Sequence, residues 1–144
     1  MRVLFDTNVL ISYLLTPKAG TINTIVEAAF ERKFQLLLPN EVVTELKKKI
    51  SEKPYLSKKI SKLTIQIFIN AFSTIAEILS PITQPIPKIG RDFKDDYLLA
   101  YSVVGDADYL VTGDEDLLAL KQIHKVKIVN PSQFLKVLSY TIGY

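Results

Sequence analysis

The chain has 144 residues, 48% of them hydrophobic, which is the usual size of one domain and enough to bury roughly two thirds of its unfolded surface, so a single domain over 1–144 is expected. Cysteine is absent and His124 is the sole histidine, which excludes disulfides and thiolate metal sites and removes most zinc chemistry. The net charge of +3 hides a separation: Lys47 to Lys62 holds seven lysines against Glu52, and Asp92 to Asp116 holds eight acids against Lys94.

Arg2-Val-Leu-Phe5 is a short β-branched and aromatic run, read as a buried central strand of a parallel sheet. It stops at Asp6, and Thr7 and Asn8 supply N-cap chemistry for the apolar pattern from Val9 to Leu15. Asp6 therefore stands at a strand end, the edge where open α/β sheets bind ligands. Asp6 and Asn8 also interrupt the opening apolar residues, so no signal peptide is expected, and no apolar run approaches the roughly 20 residues of a membrane span. A soluble cytoplasmic protein is expected.

Thr21 to Arg32 places Ile22, Ile25, Val26, Ala29 and Phe30 on one helical stripe. Phe34 to Leu38 is the second strand, and Pro39-Asn40 closes it and caps a helix that turns Val42, Val43 and Leu46 inward, with Glu45 in its second turn. Pro54 ends that pattern. Leu56 to Leu79 reads as one long helix or a closely joined pair, with Ile60, Leu63, Ile67, Phe68, Ala71 and Ile75 inward. Ala76 to Ser80 is offered as a short edge strand, and Pro81, Pro85, Pro87 and Gly90 as an extended loop. Asp95 to Val104 is helical, Tyr109 to Thr112 a strand, and Asp114 the cap of Glu115 to Leu120. Val126 to Val129 is a last strand, and Asn130-Pro131 caps a helix from Ser132 to Leu138. Asp106 and Asp108 read as turn residues, and His124 as a surface residue near a helix end. Alternating strands and helices imply an α/β fold, a parallel sheet covered on both faces by right-handed crossovers.

Asp6 and Asp114 each follow a strand and open a helix, while Glu45 and Asp95 lie in the first two turns of helices entered from the same side. With the first strand central and the Tyr109 strand beside it, all four converge on one edge. Two carboxylates about 4 Å apart repel by roughly 4 kcal/mol at an effective dielectric near 20, a large share of a domain's net stability of about 5–15 kcal/mol. A counter-ion is therefore expected, and an all-oxygen donor set selects Mg²⁺ or Mn²⁺. Taken singly, Asp6 and Asp114 are ordinary helix caps, and Asp95 or Asp96 ordinary first-turn acids. Glu45 stands apart, because a carboxylate among Val42, Val43 and Leu46 points partly inward, where an unpaired charge is costly.

Phe5-Asp6-Thr7-Asn8, Glu41 to Leu46, Asp92 to Ala100 and Val111 to Leu117 together resemble a PIN domain, most of all the toxin components of toxin–antitoxin pairs, over Arg2 to about Leu138. The resemblance implies a three-layer α/β/α fold with four or five parallel strands in the order 3-2-1-4-5. It also implies a metal-dependent ribonuclease whose acids match Asp6, Glu45, Asp95 and Asp114, oriented by Thr7, Asn8 and Thr112. Asp95 is preferred to Asp96 because it leaves Leu98 and Leu99 facing the core one turn later; Asp96 remains the other candidate for that place, and Asp116 a candidate second-metal ligand. An antitoxin seated over the acidic groove and a homodimer are further implications, and a gene for a small protein beside this one distinguishes the toxin reading from housekeeping RNA processing.

On that reading the lysines from Lys47 to Lys62, with Arg91 and Lys94, meet the RNA backbone, and Tyr13 or Tyr55 offers an exposed ring to a base. Lysine clusters are nonetheless more often solvated faces. A phosphotransferase of the haloacid dehalogenase type needs an acid where Asn8 stands, a response-regulator receiver needs paired acids after the first strand, and a dinucleotide site needs a glycine-rich turn there. The remaining rival is a catalytically silent RNA-binding or scaffold module.

Overall fold

The structure, a computed structural model, describes residues 1–16, 20–83 and 93–142; the side chains of 93–96 and 142 lie outside the described residues. Six strands form one sheet: β1 (Arg2–Phe5), β2 (Gln35–Pro39), β3 (Glu77–Leu79), β4 (Tyr109–Val111), β5 (Gln122–Ile123) and β6 (Val126–Val129), in the order β3-β2-β1-β4-β6-β5. β1 is central and parallel to both neighbours, Leu4 standing opposite Leu37 and Leu110 and Phe5 opposite Val111. Its Val3, Leu4 and Phe5 are buried, as a strand covered on both faces requires.

The helices flanking the sheet are α1 (Thr7–Leu15), α2 (Thr21–Phe30), α3 (Asn40–Glu52), α4 (Pro54–Lys59), α5 (Lys62–Ile75), α6 (Phe93–Val104), α7 (Glu115–Leu120) and α8 (Pro131–Ile142). α2 packs on α8, and α3 on α1 and α4. Below the carboxyl edge Phe5, Phe34 and Phe134 form an edge-to-face trio with centroids 5.3 to 6.2 Å apart, tying β1 and the chain before β2 to α8. No helix among the described residues is long and apolar enough to cross a membrane.

The expected strand order 3-2-1-4-5 holds for five of the strands, and the correction is one added strand. β5 has only two residues, set between Lys121, the left-handed end of α7, and a turn in which His124 has positive φ and from which β6 runs back antiparallel, so it carries no periodicity to read. His124 therefore sits in a hairpin turn and not at a helix end.

Several boundaries also move. Asp6, not Thr7 or Asn8, is the N-cap of α1, and Pro39, not Asn40, stands at the N-cap of α3. α2 ends at Phe30 because Arg32 turns left-handed at φ 59°, and β2 begins at Gln35. The joined-pair reading of Leu56 to Leu79 is the right one: Ser61 caps α5, accepting from the Thr64 N–H at 3.1 Å. The inward stripe of α5 is Ile65, Phe68, Ile69 and Phe72, whereas Leu63 and Ile67 are 69% and 60% exposed. The loop holding Pro85, Pro87 and Gly90 lies outside the described residues, as do Arg91 and Asp92.

Candidate active site

Asp6 is fixed from both sides. Its N–H donates to the Val111 carbonyl at 2.9 Å, extending the β1–β4 ladder by one rung, and its own carbonyl accepts from the Val9 N–H at 3.0 Å in the first turn of α1. The carboxylate is 6% exposed at the carboxyl end of the central strand. Fully buried Thr112, which follows β4, donates its hydroxyl to Asp6 Oδ2 at 2.7 Å, and the Asn8 N–H reaches Oδ1 at 3.4 Å. A hydroxyl has one proton, so with that proton on Asp6 the Thr112 oxygen accepts the Asp114 N–H at 3.0 Å. One side chain thus aligns Asp6 with the start of α7.

Glu45 arrives on α3 from the other side of β1. Thr7 donates to its Oε2 at 3.1 Å, the Tyr97 hydroxyl donates to the same oxygen, and the Lys49 ammonium lies 3.0 Å from Oε1. Lys49 is one turn on from Glu45 and also donates to Asn8 Oδ1 at 3.3 Å, so a cation held by α3 joins the two acidic elements.

The two acids are pushed in opposite directions. Burial raises the Asp6 carboxyl above the usual carboxylate range and the charge of Glu45 adds to the push, against the Thr112 and Asn8 hydrogen bonds and the positive charge of Lys49. Burial would raise Glu45 too, but Tyr97, Lys49 and Thr7 outweigh it and hold that carboxyl low. Burial and the bond to Glu45 push the Tyr97 hydroxyl well up, so it stays a donor.

Asp114 is half-buried, and its Oδ1 caps α7, accepting from the N–H groups of Asp116 at 2.8 Å and Leu117 at 3.4 Å. Asp116 is exposed on α7. Asp95 and Asp96 stand in the first turn of α6, which also carries Tyr97 to Glu45; their side chains lie outside the described residues. Among the described residues no three acidic side chains group closely enough to share an ion. Asp6, Glu45, Thr7, Asn8 and Thr112 are joined in one hydrogen-bonded network, and Asp114 enters it through its backbone.

A family model described as the PIN domain matches residues 2–116, from β1 into α7. The chain belongs to the PIN domain family. PIN domains are typically nucleases and generally use divalent metal ions. No curated protein matches the chain.

The side chains of this PIN domain fit such an ion. Every donor at the site is oxygen, the two carboxylates are oriented by hydroxyl groups in the way metal ligands usually are, and Lys49 supplies the positive charge that their proximity requires. Two members of the site were not singled out in the sequence. In the sequence Lys49 stands among the lysines of the basic stretch, although its place four residues after Glu45 signals an ion pair, and Tyr97 carries no signal beyond its neighbours Asp95 and Asp96.

Proposed function

We propose that this PIN domain is a Mg²⁺- or Mn²⁺-dependent endoribonuclease that hydrolyses RNA phosphodiester bonds, acting in the cytoplasm as the toxin of a toxin–antitoxin pair. The observation that carries the nuclease reading is the Asp6–Glu45 pair, drawn from β1 and α3 to the carboxyl edge of the central strand and held by Thr112, Thr7 and Tyr97. The toxin role, a cognate antitoxin and a homodimer rest on resemblance.

Asp6 and Glu45 are the residues assigned to hold the cation; Asp114 and Asp95 or Asp96, with Asp116 for a second ion, join them by resemblance to the family rather than by their placement here. When bound, a divalent ion supplies Lewis acidity toward a phosphoryl oxygen and a water of lowered pKa. The chain supplies orientation. Thr112 keeps one Asp6 oxygen turned toward β4, and among the described residues Oδ1 has only the long contact to the Asn8 N–H, which makes it the oxygen left for a cation. Thr7 and Tyr97 both bind Glu45 Oε2, so Oε1 is the oxygen presented, and the Lys49 ammonium now occupies it. Glu45, held low, is ionised at neutral pH and accepts a proton only weakly; Asp6, held high, is the carboxylate whose ionised form most needs a neighbouring positive charge.

Cleavage of an end-labelled, unstructured single-stranded RNA tests the reading. Fragments are expected with Mg²⁺ or Mn²⁺, and none in chelator or with Asp6→Asn. Cleavage that survives both controls rejects the metal-dependent mechanism, and RNA left intact by the wild type in either metal rejects the nuclease.

A further inference from the structure

A second concavity lies behind the carboxylate site, on another face of the helix that carries Glu45. α3, α4 and α5 enclose a cleft of about 830 Å³. Its floor is apolar, made of Ile50, Ile60 and Ile65, which are 1%, 2% and 7% exposed. Its rim is basic: Lys47 and Lys48 from α3 face Lys62 from the start of α5. Among the described residues these three lysines make no ion pair, whereas Lys49, one step further along α3, turns the other way onto Glu45. The chain thus divides its lysines by helical phase. One neutralises the acids, and its neighbours are left around a cavity with no acid among its lining residues.

Ammonium groups over low-dielectric walls concentrate a positive field, which favours an anion entering the cleft. The lining also holds Ser51 and Ser57, whose hydroxyls donate to the carbonyls of Lys48 and Pro54 and keep their oxygens as acceptors. A ribose needs acceptors and apolar contact, and a phosphate needs the ammonium groups. No aromatic ring lines the cleft, so it has nothing on which a base stacks. The volume falls within the roughly 300–1,000 Å³ of small-ligand clefts, room for a nucleotide or two of a single strand and not for a duplex. Lys48 follows Glu45 by three residues, about 4.5 Å of helical rise and about 60° around the axis, so a strand held in the cleft reaches the carboxylates by passing around α3.

We propose that this cleft is a sequence-tolerant anchor for the phosphate–ribose backbone of single-stranded RNA, holding the strand next to the phosphodiester that reaches Asp6 and Glu45. The proposal rests on the nuclease reading for its choice of RNA over an acidic peptide. The direct test is fluorescence anisotropy of a short unstructured RNA on Asp6→Asn protein, with and without the added changes Lys47→Gln, Lys48→Gln and Lys62→Gln, over a range of salt. The triple change is expected to weaken binding at least tenfold at low salt. It should also flatten the slope of log affinity against log salt by about 2, at roughly 0.7 per phosphate contact for a single strand. Lys127→Gln with Lys136→Gln, a charge change on β6 and α8, is expected to leave both unmoved. Lys62→Glu alone guards against a fault in α3 and is expected to weaken binding in the same direction.

Equal affinity and slope in the triple variant overturn the proposal. So does a poly-glutamate peptide that binds with the lysine dependence that RNA lacks. Failure of the two readings is separable: wild-type protein that cleaves RNA with an affinity indifferent to the three lysines loses only the cleft, and protein that binds RNA through them without metal-dependent cleavage loses only the nuclease.

Discussion

Thr112 illustrates how much one hydroxyl decides at this site. It is fully buried, donates to Asp6 and accepts the Asp114 N–H, so Thr112→Val leaves the shape in place while releasing Asp6 and orphaning a backbone donor. Loss of such an orienting contact typically costs about 10–100-fold in metal affinity or activity. Thr112→Val is expected to fall in that range, read as Mn²⁺ affinity by calorimetry and as cleavage rate. The two acids predict opposite responses to pH. Asp6 has its folded-state pKa raised, so its ionisation costs the fold, and that cost appears as pH rises through the folded value. Asp6→Asn should therefore raise the melting temperature of the metal-free protein at neutral pH, with the gain fading in acid. Glu45 is lowered, so its contribution is present above its unfolded pKa and lost as pH falls through its folded value. Glu45→Gln should lower the melting temperature at neutral pH and make little difference in strong acid. Melting curves of both variants across pH check the pair.

Lys49 is the residue that most separates this site from a list of acids. Removing its charge with Lys49→Met leaves Asp6 and Glu45 facing each other without a cation. The metal-free melting temperature is expected to drop, and millimolar Mg²⁺ is expected to raise it by more than in the wild type. A smaller rise than in the wild type contradicts the role given to Lys49.

At the scale of elements, the amino-terminal end of the sheet is locked by contacts remote from the site. The Arg2 guanidinium donates to the Gly105 carbonyl at 2.8 and 3.0 Å and pairs with Glu77 at 2.6 Å, joining β1, the end of α6 and β3. A Cβ on Gly105 would stand 2.9 Å from the Tyr101 carbonyl oxygen and 2.9 Å from Leu79 Cδ1, and the first is backbone that does not yield easily. Gly105→Ala is expected to cost about 1–3 kcal/mol, as overpacking does, seen as a lower urea midpoint at unchanged slope. Most of this level was legible in the chain. The runs at β1, β2, β4 and β6 are apolar because both sheet faces are covered, and Asn130 and Gln133 cap α8 through reciprocal bonds of 2.8 Å each. α5 was misread because it is apolar on more than one side: Leu63 and Ile67 fit a helical stripe as well as Ile65 and Phe68 do, and only the position of Phe30 and Tyr13 opposite Phe68 settles which side turns inward. Tyr13 is thereby engaged, its hydroxyl on Glu27 at 2.8 Å, and is no free platform for a base; Tyr55, 59% exposed, remains one.

Over the whole molecule, the acids were readable because strand ends and helix starts announce themselves in sequence, and the order of the sheet then carries Asp6 and Glu45 to one edge. Their neutralisation was not readable. It depends on which face of α3 Lys49 takes and on α6 delivering Tyr97, both set by packing between segments far apart in the chain. The separation of charge seen in the sequence is not kept as two faces: Asp106 and Asp108 meet Lys125 at the amino-terminal end of the sheet, while on α3 Lys49 turns to Glu45 and Lys47 and Lys48 line a cleft without acids.

On the proposed reading, buried Asp6 and its partner Glu45 form a seat for a divalent cation. Calorimetric titration of Mn²⁺ into metal-free protein tests it most directly. Saturable binding is predicted for the wild type, weakened by at least about 100-fold in Asp6→Asn and in Glu45→Gln, beyond what loss of an orienting group alone produces. Wild-type protein that takes up no Mn²⁺, or variants that bind it as tightly as the wild type, would contradict the account.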